Sequence, residues 1–146
     1  KKKQPPPAPI QEVAFQDREN DLLTTLNAKS HRITIEVWDN AEVDGDTISV
    51  LLNDRYVLFG HALTKRKERI VIDLPSNYNI LEFVAHNEGR VAPNTASCTV
   101  NAGYGKKELL IRTSNEKNTT VEINYEPKLS RKLMRYYEDH PLEDPD

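Results

Sequence analysis

Arg32-Ile33-Thr34-Ile35-Glu36-Val37-Trp38 sets Ile33, Ile35 and Val37 at every second position, with Thr34 and Glu36 between them. Side chains of an extended backbone point alternately to opposite faces, so this pattern predicts a strand with one buried face. The same period returns downstream at Ile48, Val50 and Leu52, then at Ile70, Ile72 and Leu74, and at Leu81, Phe83 and Ala85. It continues through Ala96, Cys98 and Val100, through Leu109 and Ile111, and through Val121, Ile123 and Tyr125. Upstream, Leu22, Thr24 and Leu26 share one parity, and residues 56–59 form a short extra strand. Turn-forming residues separate the runs: Lys29 with Ser30, Asp44 with Gly45, Asn53 with Asp54, Pro75 to Asn77, Gly89, Pro93 with Asn94, and Gly103 with Gly105. Roughly eight or nine short strands with this punctuation predict an all-β fold, an antiparallel immunoglobulin-like β-sandwich. Its core is expected to hold Ile33, Ile35, Val37, Ile48, Val50, Ile72, Phe83, Cys98 and Val121.

The sandwich is expected over residues 21–126. Residues 1–20 form a proline-rich lead: 1–9 read KKKQPPPAP, which offers no core and favours an extended polyproline spacer. Residues 127–146 hold a short helix and an acidic tail. After Pro127, Leu129, Leu133 and Tyr136 or Tyr137 fall at helical spacing, with Lys128, Arg131, Lys132 and Arg135 making the other face basic. The tail from Glu138 onward carries Pro141 and Pro145 and is expected to fray.

Lys and Arg total 20 against 23 Asp and Glu, a net charge of −3. Nucleic-acid binding needs a positive excess to neutralise phosphates, so it is not expected. No run approaches the ~20 apolar residues of a membrane span. With Lys1 rather than Met at its head, the chain reads as a trimmed one. Cys98 is the single cysteine. It lies in an alternating apolar run and is expected to be a small buried hydrophobe rather than a reactive thiol.

The most polar stretch is 39–46, between two strands. Asp39, Glu42, Asp44 and Asp46 crowd carboxylates into a loop with Gly45. Crowded carboxylate oxygens suit calcium, with Asp39, Asp44 and Asp46 as its ligands. The spacing is not that of an EF-hand, however. The structural alternative has Asp39 and Asp44 bonding to backbone amides of the loop, with Gly45 at positive φ. Trp38, at the edge of this loop, either packs or stacks on a sugar. The second polar loop holds His86, Asn87 and Glu88, and closes on Pro93, Asn94 and Thr95. No Ser or Cys nucleophile is spaced to join His86 and Glu88 in a catalytic set. His31, His61, His86 and His140 are scattered, without the close pair of a zinc site. No cofactor is expected beyond the possible calcium.

The order Trp38-Asp39, Asp44-Gly45-Asp46-Thr47-Ile48, Leu52-Asn53, Ala85-His86-Asn87-Glu88-Gly89 and Pro93-Asn94-Thr95 resembles a β-sandwich module of secreted and surface proteins in Bacteroidetes-type bacteria. The resemblance spans residues 21–125. Ala41 and Glu42 depart from it, standing where the family has a glycine-like turn. It implies an extracytoplasmic domain of the cell envelope, in the periplasm or at the surface, often attached to other domains, with no catalytic residues carried over. The expected function is a non-catalytic scaffold or partner-binding module for an envelope protein or glycan, contacted through Trp38, Asp39, Asp44, Asp46, Asn87, Glu88 and Asn94. Two alternatives stand beside it: a calcium-assisted carbohydrate-binding module, and a hydrolase. Loops of a sandwich gather at its two ends, and the resemblance favours these two polar loops sharing one.

Overall fold

A computed structural model describes residues 18–39, 45–86, 94–126 and 131–141. The strands are β1 (Glu19–Ala28), β2 (Arg32–Trp38), β3 (Thr47–Leu52), β4 (Arg55–Ala62), β5 (Glu68–Asp73), β6 (Tyr78–Ala85), β7 (Asn94–Asn101), β8 (Lys106–Thr113) and β9 (Lys117–Tyr125), followed by a helix, α1 (Arg131–Asp139). They form two sheets, one ordered β1-β9-β6-β3-β4 and the other β5-β2-β7-β8. The chain changes sheet at every connection except β3–β4 and β7–β8. The fold is an all-β sandwich with a short helix.

Alternation accounts for the core. Ile33, Ile35 and Val37 of β2 face inward and are fully buried, and so are all the other residues expected there, none above 4% exposed. They pack in one cluster with Leu63, Leu81, Ala96, Val100, Ile111 and Ile123. Burial pushes the Cys98 thiol up to about 12, helped by the charge of Glu36, so the sulfur stays protonated and serves as packing.

Within this fold several details differ from expectation. The β1–β9 pair is parallel, whereas every other pair is antiparallel. A parallel neighbour needs a long crossover, and here the rest of the domain supplies it. Leu22 does not share the inward parity of Leu26: the register shifts between Leu22 and Thr24, leaving Leu22 53% exposed. One extra residue flips every side chain beyond it to the other face. β1 starts at Glu19, and β4 runs well beyond residues 56–59. Finally, α1 extends through Glu138 to Asp139, and the His140 N–H still donates to the Tyr136 carbonyl at 2.9 Å. Pro141, which disfavours helix in the residue before it, sets the stop.

Candidate functional site

The register places the flanks of both polar loops at one end of the sandwich. β2 ends at Trp38, which pairs with Ser97 near the start of β7. β3 begins at Thr47, and Ile48 pairs with Ala85, the last residue of β6. Both loops therefore link the same two pairs of strands, from one sheet to the other. Backbone bonds clamp their flanks. Asp39 N–H donates to the Thr64 carbonyl at 2.8 Å, Leu63 N–H to Asp46 at 2.8 Å, and His86 N–H to Thr47 at 2.8 Å. Gly45 takes φ +92°, the left-handed conformation expected of it.

Of the anticipated contact residues, Asp39, Asp46 and Asn94 are buried at 2%, 3% and 1% exposure. Asp44, Asn87 and Glu88 lie outside the described residues. Trp38 is half-buried on the outer face of its sheet, and the Lys67 ammonium sits 4.5 Å from the centre of its ring. That is a cation–π contact. Among the described residues, no group of three His, Cys, Asp or Glu is arranged to hold a metal ion.

Beside this end lies a cluster that spacing in the sequence does not reveal. Ser49 of β3 and His86 after β6 are brought together, Ser49 Oγ standing 2.5 Å from His86 Nε2. The same Oγ accepts the Gly60 N–H at 2.9 Å. Phe59 of β4 meets both His86 and Tyr56 edge-on, each at 5.0 Å between ring centres. Arg18 Nη1 donates to the carbonyls of Ala85 at 2.6 Å and Ser114 at 3.2 Å. Burial, and then the Arg18 charge, hold the His86 imidazole below its usual 6.5. A neutral histidine against a serine hydroxyl is the beginning of a nucleophile–base pair. Ser49, however, is 0% exposed, so no acyl carbon has an approach to its Oγ in this conformation.

The two outer faces differ in charge. On the sheet of β5, β2, β7 and β8, opposite charges meet: Arg32 holds Asp73 through Nε at 2.9 Å and Nη2 at 3.3 Å. Glu36 accepts from Lys106 Nζ at 3.1 Å and Thr99 Oγ1 at 3.0 Å, and these bonds lower its pKa.

The other outer face carries a groove of about 360 Å³. Asn20 and Leu22 of β1, Thr120 and Glu122 of β9, Tyr78, Ile80 and Glu82 of β6, and the Asn53–Asp54 turn line it. Tyr78 donates to Glu122 Oε2 at 2.8 Å. The turn is fixed by Asn79, a fully buried amide on the inward parity of β6. Asn79 Oδ1 accepts from Asn53 Nδ2 at 3.0 Å, and its Nδ2 donates to Ser76 at 2.8 Å and Ile123 at 3.2 Å. Asn53 Oδ1 in turn accepts the Ile80 N–H at 2.8 Å. Sequence reasoning missed this groove because its residues come from distant strands. The one available signal was an asparagine in the inward series Asn79, Leu81, Phe83.

Comparison of the chain with protein-family models, with curated proteins and with solved structures returns no match.

Proposed function

We propose that the chain is a non-catalytic module of the bacterial cell envelope, outside the cytoplasm, that binds a protein or glycan partner on a sheet face. The observation that carries this reading is the distribution of exposure. The described acidic and amide side chains of the loop end are buried, while Leu22, Tyr78, Ile80, Val71 and Leu110 stand open on the outer faces. Solvent-facing aromatic and aliphatic side chains on a rigid sheet are what a partner surface uses. The burial of Ser49 supports the non-catalytic part, since a nucleophile must meet its substrate. The immunoglobulin-like topology and the Bacteroidetes-type relationship belong to the same proposal and rest on the linked motifs from Trp38 to Thr95.

The test is retention of the purified chain on solubilised envelope fractions of such a bacterium. Wild type is expected to be retained, and Tyr78→Ala or Leu22→Ala to weaken retention with the fold intact. No retention by any fraction, or turnover of ester or glycoside substrates lost in Ser49→Ala, would contradict the proposal. A calcium-assisted carbohydrate module is a second reading, favoured by Asp39 and Asp46 lying buried at one end beside Trp38. It requires a melting temperature that rises with calcium and falls with chelator.

A further inference from the structure

Three carboxylates, Asp54, Glu82 and Glu122, line the groove on the outer face of β1, β9 and β6, and among the described residues no lysine or arginine does. Between them stand Leu22, Tyr78 and Ile80, exposed at 53%, 53% and 38%. Acidic groups at such density normally draw a basic neighbour, as Glu36 draws Lys106 on the opposite sheet and Asp21 draws Lys117 near the edge of this one. In the groove, burial and then the charge of Asp54 raise the Glu82 carboxyl above its usual value, only partly offset by the Asn118 amide that donates to it at 3.4 Å. Like charges lining a groove with no counter-charge among its described residues attract a cation that arrives from outside.

A second, independent feature is Asp54 itself. Asn53 and Asp54 take φ +49° and +68° in the tight turn between β3 and β4. Both central positions of such a hairpin require positive φ, and the second is ordinarily glycine. Aspartate there carries a steric penalty and adds repulsion toward Glu82. The turn thus places a carboxylate, where glycine is ordinary, at the rim of the groove.

We propose that this groove binds a basic, extended polypeptide, whose lysine or arginine stems lie along Leu22, Ile80 and Tyr78 and whose cationic heads meet Asp54, Glu82 and Glu122. Long basic side chains fit because their stems are apolar and their heads charged, and the tyrosine ring attracts a cation over its face. A single metal ion does not fit, because the described carboxylates are not grouped as metal ligands. A neutral sugar would leave the charge uncompensated. The assignment deepens the partner-binding reading and rests on it.

The test is titration of the whole chain with hexalysine at low ionic strength, followed by NMR, with hexaglutamate as the comparison. Hexalysine is expected to shift the amides of β6 and β9 around Tyr78, Ile80 and Glu122, and hexaglutamate to shift none. The double variant Glu82→Gln with Glu122→Gln should bind about tenfold more weakly or worse, as expected when charge-assisted contacts are removed. Asp54→Gly should bind more weakly and melt at a higher temperature, which keeps the test valid should the double variant fold poorly. Glu108→Gln, on the other sheet, should leave binding unchanged. Equal hexalysine affinity in wild type and Asp54→Gly, or shifts spread evenly over both sheets, would overturn the assignment. Retention on envelope fractions without hexalysine binding would overturn this assignment alone. Loss of both would overturn the partner-binding reading as well.

Discussion

Asn79 sits where the alternation of β6 calls for an apolar side chain, and it is fully buried. Its amide is saturated by the Asn53 turn and by backbone carbonyls, which offsets the loss of water. Replacing it by Ala strands those partners and should cost roughly 1–3 kcal/mol, measured by urea unfolding. Phe83, on the same face and 0% exposed, should cost more: about 3–5 kcal/mol for Phe83→Ala, because a ring-sized cavity remains. His86 gives a pH signature. Its folded value lies below 6.5 through burial and the Arg18 charge, so the folded chain binds its proton less readily than the unfolded one. The contribution is fully present above about pH 6.5 and is lost as pH falls from there through the folded value. The melting temperature should drop between about pH 7 and pH 5, and His86→Gln should flatten that part of the curve.

Strand β2 was legible because its alternation is strict and both its neighbours, β5 and β7, pair with it in unbroken register. β1 was less so. Leu22 and Leu26 keep an even spacing in sequence, but the shift between Leu22 and Thr24 turns Leu22 outward, and nothing in local composition announces a bulge. The same bulge helps to build the groove, so the groove was hidden for the same reason. The turn after β7 shows the reverse case, where a glycine in sequence had a definite cause. Gly103 has φ +101°, and a Cβ there would stand 2.6 Å from the Cβ of Lys29. Lys29 is held in place by its N–H bond to the Ala102 carbonyl at 2.7 Å. Gly103→Ala should therefore cost roughly 1–3 kcal/mol from backbone strain, with the clash adding to it. Gly45, at φ +92° with nothing near its Cβ position, should lose only the strain part. Thermal unfolding of the two variants side by side separates clash from strain.

At the scale of the molecule, two sheets close over one core and leave two outer faces of different character. One carries matched charges, Arg32 with Asp73 and Lys106 with Glu36. The other pairs Lys117 with Asp21 but sets Asp54, Glu82 and Glu122 among exposed apolar side chains in its groove. The motifs that stand out in sequence, from Trp38 to Asp46 and from Ala85 to Thr95, lead to one end of the sandwich, where Asp39, Asp46 and Asn94 are buried. Polar residues clustered in sequence drew attention to an end of the sandwich where the described ones are buried, whereas the groove is assembled across strands far apart in the chain. The central claim is that a sheet face of this module receives a partner. Hydroxyl-radical footprinting of the chain, free and retained on the envelope fraction, reads side-chain exposure directly. Oxidation of Leu22, Tyr78 and Ile80 is predicted to fall on retention while that of Val71 and Leu110 stays level; equal oxidation of Leu22, Tyr78 and Ile80 in both states would contradict it.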